Sequence, residues 1–351
     1  MIKFRIIALL LAFFMLSPIT VYASQPREIQ FEHALNRAAR ETASNLDFES
    51  RQEAARAREL RNLRANINDV EERDVIDHQV LVAQAESAHL LRESVRVRIS
   101  ADLQMRTHLA NIHGFELQIQ LLEQTIELQE RALEQTELRR QHGMASDVNV
   151  REAYHTLGQS RINLETVQLS LQNERQSLNR LINQPITANI QIVYDISNIP
   201  ALPEGVDSDR SINSQIARNP ELLRLQDEVE IRRHYRQINR YNPLVDNRYT
   251  RVQHQMATFE RDMAERQAEQ SVRAALAEWE RLLEQYEAIQ ADLAQAQQEY
   301  ENMQNRFEAG LVTQIQVDQA ALGVASQEIA LATHSYAFWI ARLRIDHPYV
   351  R

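Results

Sequence analysis

Apolar positions between residues 275 and 307 recur in steps of four and three residues, without a break. This heptad alternation keeps one face of a helix against a neighbouring helix over a long distance. No glycine or proline interrupts the run, so the pattern predicts one long helix. Its apolar positions are Ala275, Trp279, Leu282, Tyr286, Ile289, Leu293, Ala296, Tyr300, Met303 and Phe307.

The long run ends at Gly310, and a second periodic run follows the glycine almost at once. Two periodic runs joined by a short turn predict an antiparallel helical hairpin with a tight tip. The second run repeats the three-four alternation at Leu322, Ala325, Ile329, Ala332, Tyr336, Trp339 and Leu343.

The same arrangement occurs earlier in the chain. Residues 139–146 (RRQHGMAS) align with residues 306–313 (RFEAGLVT) at an offset of 167. Two long hairpins with matched tips indicate an internal duplication. The predicted fold is therefore all-α, with long antiparallel hairpins in two tandem repeats and little or no β structure. The matching apolar positions behind the first tip are Ile112, Phe115, Ile119, Leu122, Ile126 and Leu133.

The pattern divides the chain into a leader (residues 1–23), a first repeat (24–200) and a second repeat (201–351). Residues 66–77 are very polar and predict either a turn or a solvated piece of helix. One short strand is predicted at residues 190–194. Helices are predicted at residues 29–64 (as one or two helices), 80–141, 147–183, 211–239, 251–307 and 314–346.

The leader has the pattern of a secretory signal peptide. Lys3 and Arg5 precede a short apolar stretch, and Val21-Tyr22-Ala23 offers a small-residue cleavage pattern before Ser24. An uncleaved membrane anchor is the alternative. No later stretch is long and apolar enough to span a membrane as a helix, so we expect an exported protein.

Composition and motif content exclude several kinds of binding and catalytic site. The chain has a formal net charge of −10 and no cysteine. An acidic exported protein is a poor candidate for nucleic-acid binding, and without cysteine it forms no disulfide or thiolate metal site. The histidines lack zinc-site spacing, and there is no phosphate-binding loop or nucleophile elbow. We therefore expect no catalytic residue, no cofactor, no metal site and no enzymatic activity.

Three stretches resemble the TolC family of outer-membrane efflux and secretion channels. They are residues 219–222 (NPEL) opening a helix, the linker 202–204 (LPE) and above all the tip 306–313. The resemblance covers essentially the whole chain after the leader. It implies a homotrimer whose hairpins form a long α-barrel in the cell envelope. It also implies that the glycine tips meet a periplasmic adaptor (membrane fusion) protein and an inner-membrane pump.

One departure from the family matters. The resemblance implies a pair of membrane-barrel strands in each repeat, near residues 66–78 and 238–252. A membrane strand needs roughly nine to eleven residues with alternate apolar positions. Neither stretch shows this alternation or has room for two strands. We therefore expect a TolC-like α-barrel protomer without these strands, in the periplasm or associated with the outer membrane, and membrane insertion is not expected.

The resemblance also implies site residues. Arg139, Gly143 and Ser146 of the first tip, with their counterparts in the second, would dock the adaptor; the alternative is a purely structural turn. Asp147 and Asp318 would form an acidic constriction in place of a family aspartate, whose position here is Gln316. The alternative is that both are solvated carboxylates near helix starts. The second-tip docking residues are Arg306, Gly310 and Thr313.

Arginines cluster at the ends opposite the tips, at the close of the first helix of each repeat. They suit the negative end of a helix dipole, and they could also contact an anionic envelope surface by charge. The candidates for this contact are Arg58, Arg61, Arg64, Arg233, Arg236 and Arg240.

Two functions from different classes follow. The first is a trimeric TolC-like conduit for efflux or type I secretion. The second is an exported coiled-coil scaffold or spacer of the envelope that transports nothing. A closed trimer favours the first, and a monomer or an open bundle favours the second.

Overall fold

The computed structural model describes residues 27–196 and 205–350, and it is 83% helical with 3% strand. The predicted all-α fold of long hairpins is confirmed. The predicted leader and the predicted boundary between the repeats, at residue 200, lie outside the described residues. The described elements are β1 (Arg27–Gln30), α1 (Phe31–Arg64), α2 (Val70–Gln141), α3 (Asp147–Leu181), β2 (Ile190–Val193), α4 (Asp209–Ile216), α5 (Pro220–Ile238), α6 (Asn247–Glu308) and α7 (Gln314–Asp346).

Two helices dominate the fold. Helix α2 has 72 residues and α6 has 62; at a rise of about 1.5 Å per residue they are about 110 and about 90 Å long. Each contains the apolar positions in heptad alternation from which a long helix is predicted. In the described part of the chain, no helix carries an apolar run that could cross a membrane.

Both long helices begin earlier than the apolar pattern predicted. Asp69 accepts a hydrogen bond from the Glu72 backbone N–H at 2.8 Å and caps α2. Asp246 caps α6 in the same way, through the Arg248 backbone N–H. These caps start the helices in polar sequence, where apolar periodicity carries no signal. Most of the polar stretch 66–77 is therefore solvated helix.

The six longest helices form one layer, and the short helix α4 packs against α6. Near the tips the order across the layer is α3, α2, α7, α6, because α2 packs against α3 and α7, and α7 packs against α6. At the opposite end the order is α1, α2, α5, α6, since α5 takes the place between the two long helices. The layer has two edges, one formed by α1 and α3 and the other by α6.

Small side chains hold α1 against α2. Ala34, Ala39, Ala43 and Ala57 are almost fully buried on α1. The Ser50 hydroxyl donates to the Ser87 carbonyl across this contact at 2.8 Å. Small residues bring the two helix axes close together, so this contact is tight without large apolar side chains.

Two short strands lie in the middle of the molecule. Strand β2 confirms the prediction at residues 190–194, and it pairs in parallel with β1, with Ile29 opposite Ile192. The prediction that a helix starts at residue 29 is wrong, because residues 27–30 pair as a strand and α1 starts at Phe31. The cause is long-range: Ile29 and Ile192 are buried in one core with Met105 and Leu178.

Short turns stand where the resemblance implied strand pairs. Residues 65–69 connect α1 to α2, and residues 239–246 connect α5 to α6. The structure has no strand in either connection. The prediction that both strand pairs are absent is confirmed.

Candidate functional site

The first tip is a helix C-terminus closed by Gly143. This glycine has φ of 72°, a left-handed conformation that only glycine adopts at little cost. Its backbone N–H donates to the Arg140 carbonyl at 2.9 Å, and the Met144 N–H donates to the Arg139 carbonyl at 2.8 Å. This pair of bonds is the Schellman arrangement, which satisfies carbonyls that the helix leaves free.

The second tip repeats the first bond for bond. Gly310 has φ of 71° and donates to the Phe307 carbonyl at 2.8 Å. The Leu311 N–H donates to the Arg306 carbonyl, also at 2.8 Å. The duplication deduced from residues 139–146 and 306–313 therefore extends to the backbone hydrogen bonds.

The return helices start with reciprocal caps. The Asn149 side chain accepts from the Ser146 backbone N–H at 2.9 Å, and Ser146 Oγ accepts from the Asn149 N–H. At the second tip, Gln316 Oε1 accepts from the Thr313 backbone N–H at 2.8 Å. Thr313 and Gln316 thus form a capping box at the start of α7.

Each tip exposes an apolar side chain that sequence reasoning did not select. Met144 is 72% exposed and Leu311 is 70% exposed, at matched positions directly after the tip glycines. Arg139 and Arg306 are exposed beside them and form no ion pair within the described residues. The aligned tip sequences contain the signal, since residues 144 and 311 are both large and apolar in a turn where no core exists.

Both candidate acidic residues have arginine partners within the protomer. Asp147 lies 3.1 Å from Arg140, across the first tip. Asp318 lies 2.8 Å from Arg131, so this pair connects α7 of the second repeat to α2 of the first. The two carboxylates lie on different return helices, and each is opposed by a positive charge.

At the opposite end, the first arginine cluster is partly neutralised. Arg64 forms a hydrogen-bonded ion pair with Asp77 of α2, which raises the pKa of the guanidinium. Arg58 and Arg61 are exposed and form no ion pair within the described residues.

The second arginine cluster lies beside the 239–246 turn. Arg233 pairs with Glu230 at 3.3 Å, and Arg240 lies over the Tyr241 ring at 5.4 Å. Arg236 has no ion-pair partner among the described residues. Both clusters lie at one end of the molecule, because the His78 ring of α2 stacks on His234 of α5 at 5.5 Å.

A polar and aromatic cluster joins the two repeats at mid-height. Arg106 of α2 forms a bidentate ion pair with Asp102, and its guanidinium lies 4.6 Å from the Trp339 ring of α7. The hydroxyls of Tyr194 and Tyr336 share a hydrogen bond of 2.8 Å. Burial raises the pKa of both tyrosines, so both stay neutral. This cluster fixes α7 on α2.

A cleft of about 550 Å³ opens between α2 and α6, where α7 ends and α5 begins. Small side chains, including Ala264, Ala268 and Ser271, line it together with the ion pair of Arg96 and Glu93. In the described part of the chain, histidines and carboxylates form no group of three that could hold a metal.

The fold of this chain also occurs in solved structures of other proteins. No protein-family model and no curated protein matches the sequence. Solved structures do match: a membrane protein from Pseudomonas aeruginosa has a TM-score of 0.67 at 14% identity, covering 91% of this chain and 93% of the other.

Two further matches carry more specific names. The outer membrane protein VceC from Vibrio cholerae has a TM-score of 0.63 at 12% identity and covers 91% of this chain and 95% of its own. The CmeC outer membrane channel of Campylobacter jejuni has a TM-score of 0.63 at 11% identity, and the match covers 91% of this chain and 85% of the channel. The chain therefore has the fold of bacterial outer-membrane channels, the TolC-like fold that its sequence resembles.

Proposed function

We propose that this chain is one protomer of a trimeric TolC-like conduit for efflux or type I secretion in the cell envelope. The observation that carries the proposal is the open helical layer with two different edges, each bearing exposed apolar side chains. Two unlike edges on one protomer make head-to-tail contacts, and such contacts close into a ring when the rotation per protomer fits.

The edge of α6 carries an apolar strip near the 239–246 turn. Its members follow the heptad alternation, and all are exposed in the single chain. An apolar heptad strip facing water is typical of a helix whose partner is another chain. We call it the α6 strip; it consists of Tyr249, Val252, Met256, Phe259 and Met263.

The opposite edge carries its own apolar positions. Val148, Ile162 and Leu169 are exposed along α3 at heptad-related positions, and Phe48 is exposed on α1. In a ring, this edge meets the α6 edge of the next protomer. The hairpins then enclose a lumen, and the protein conducts cargo without catalysing a reaction.

The hairpin tips would be the docking points for partners. Matched exposed side chains, Met144 and Leu311, support this assignment, because a tip with only a structural role needs no large apolar group in water. The partner proposed from the family resemblance is a periplasmic adaptor (membrane fusion) protein, followed by an inner-membrane pump. The acidic constriction at Asp147 and Asp318 stays a prediction.

Light scattering behind a sizing column, on residues 24–351 without detergent, tests the proposal. We expect a single species with three times the chain mass. A monodisperse monomer would contradict the conduit and would favour an exported scaffold or spacer. Protein that dissolves only in detergent would contradict the expectation that the protomer carries no membrane-inserted part.

A further inference from the structure

The turn between α5 and α6, together with the helix ends on either side of it, has a charge opposite to that of the whole chain. Residues 231–252 contain six arginines and one acidic residue, Asp246, a net charge of +5 in a chain whose net charge is −10. We call residues 231–252 the basic turn. Its arginines are Arg232, Arg233, Arg236, Arg240, Arg248 and Arg251.

Most of this positive charge is not neutralised by the protein. Arg232 and Arg233 pair with carboxylates of their own helix. The other four arginines form no ion pair among the described residues. Asp246 is occupied as the cap of α6, where it accepts from the Arg248 backbone N–H at 2.8 Å. The arginine side chains are thus free to bind an external anion.

The apex of the basic turn is apolar. Leu244 is 92% exposed and Tyr241 is 86% exposed, and Pro243 lies between them. A leucine and a tyrosine held this far into water contribute almost nothing to the core of the chain, and together they form an apolar projection surrounded by cations.

The matching turn of the first repeat has a different character. Residues 56–77 contain five arginines and six acidic residues, a net charge of −1. Arg64 is already paired with Asp77, and no aromatic residue occurs in this stretch. Its most exposed large apolar residue is Val70, at 67%. The two repeats therefore share helices and tips but differ at this end.

We propose that the basic turn rests on the surface of an anionic phospholipid bilayer. Tyr241 and Leu244 enter the headgroup region, and the surrounding arginines pair with lipid phosphates. Aromatic and aliphatic side chains flanked by arginine are the combination that binds at a membrane interface without spanning the membrane. A charged polymer such as nucleic acid offers no apolar layer for Leu244, so the apex favours a bilayer.

Only the second repeat then contacts the membrane. The sequence suggested that both arginine clusters contact the envelope surface. The structure favours Arg236 and Arg240 together with Arg248 and Arg251, and it disfavours Arg58, Arg61 and Arg64, which acidic residues surround in sequence. This contact is independent of the trimer, since one protomer carries the whole patch.

Vesicle co-sedimentation of residues 24–351 tests the contact. We expect binding to vesicles of phosphatidylcholine with about a third phosphatidylglycerol, weak binding to phosphatidylcholine alone, and release by salt. The triple variant Arg240→Gln, Arg248→Gln, Arg251→Gln should lower the partition coefficient on the order of 100-fold. The matched control, Arg56→Gln, Arg58→Gln, Arg61→Gln on the other turn, should leave it unchanged.

Tryptophan substitution locates the contact directly. Leu244→Trp should shift its emission to the blue on adding anionic vesicles, whereas Val70→Trp on the other turn should not. Both positions are exposed, and helicity by circular dichroism checks that each variant folds. Equal binding to neutral vesicles, equal shifts at both positions, or no shift at Leu244→Trp would each overturn the proposal.

Discussion

Single glycines shape both tips. Gly143 and Gly310 each hold a left-handed backbone conformation, and an added Cβ would meet no atom within 4 Å at either site. The requirement for glycine there is therefore conformational and not steric. Gly323 differs, since it lies inside α7 with ordinary helical backbone and open space around it.

Replacing Gly310 with alanine should destabilise the protein, because an L-residue in the left-handed region costs roughly 1–2 kcal/mol. Gly323→Ala is the matched control and should stabilise by roughly 0.5–1 kcal/mol, since glycine weakens a helix interior. Urea unfolding followed by circular dichroism measures both. Equal effects at the two glycines would contradict the conformational explanation.

Arg106 and Asp102 form the most protected ion pair that the described structure shows, with both side chains less than a fifth exposed. Removing one partner leaves an uncompensated charge under the Trp339 ring. Asp102→Ala should therefore destabilise by about 3 kcal/mol in urea unfolding. Glu130→Ala, which removes half of the exposed pair with Arg161, should cost less than about 1 kcal/mol. A similar loss at both sites would show that burial does not set the cost.

At the scale of elements, the edge helices decide what the protomer can do. Helices in the middle of the layer bury both sides, whereas α6 buries one face and leaves the α6 strip in water. The strip follows the same heptad alternation that predicts the buried seam farther along the same helix. Periodicity therefore marks a contact face, and packing decides whether the partner is the same chain or another one.

Charging the α6 strip should prevent assembly. Met256→Glu with Phe259→Glu should convert the trimer into monomers in light scattering, because a charge buried in the contact has no partner. The conservative double variant Met256→Leu, Phe259→Leu keeps the strip apolar and should remain trimeric. Trimers of the glutamate variant would exclude the strip from the interface.

At the scale of the whole molecule, three histidines couple folding to pH. Burial lowers the pKa of His113, which lies 5.0 Å from the Tyr336 ring, and the pKa of His347. Burial and the nearby charges of His234 and Arg232 lower the pKa of His78. All three histidines are therefore easier to protonate after unfolding.

The protein should lose stability on acidification. Histidines of the unfolded chain titrate near pH 6.5, so the stabilisation is complete above that pH and falls as the pH drops toward 5. The urea midpoint should decrease over this range, and His113→Gln should reduce the decrease. His155 is exposed, so His155→Gln is the control and should leave the decrease in the urea midpoint unchanged. A midpoint that rises on acidification would contradict the assignment.

Much of the fold follows from local sequence. The heptad alternation of apolar positions predicts the two long helices. The matched glycine tips predict the hairpins and their duplication. Both are predictable because helix periodicity and left-handed turns depend on local sequence. The missing strand pairs follow as well, since residues 66–78 and 238–252 have neither room for two strands nor the alternation of a membrane strand. The docking role of the tips rests on the family resemblance and stays a proposal.

Other features needed the tertiary structure. Pairing of β1 with β2 joins segments about 160 residues apart, and no local pattern in residues 27–30 announces it. The contacts of Arg131 with Asp318 and of Arg106 with the Trp339 carbonyl likewise reach α7 of the other repeat. Above all, the same apolar periodicity describes the buried face of α6 and its exposed strip. Only packing shows which face is still without a partner, because exposure depends on where every other helix lies.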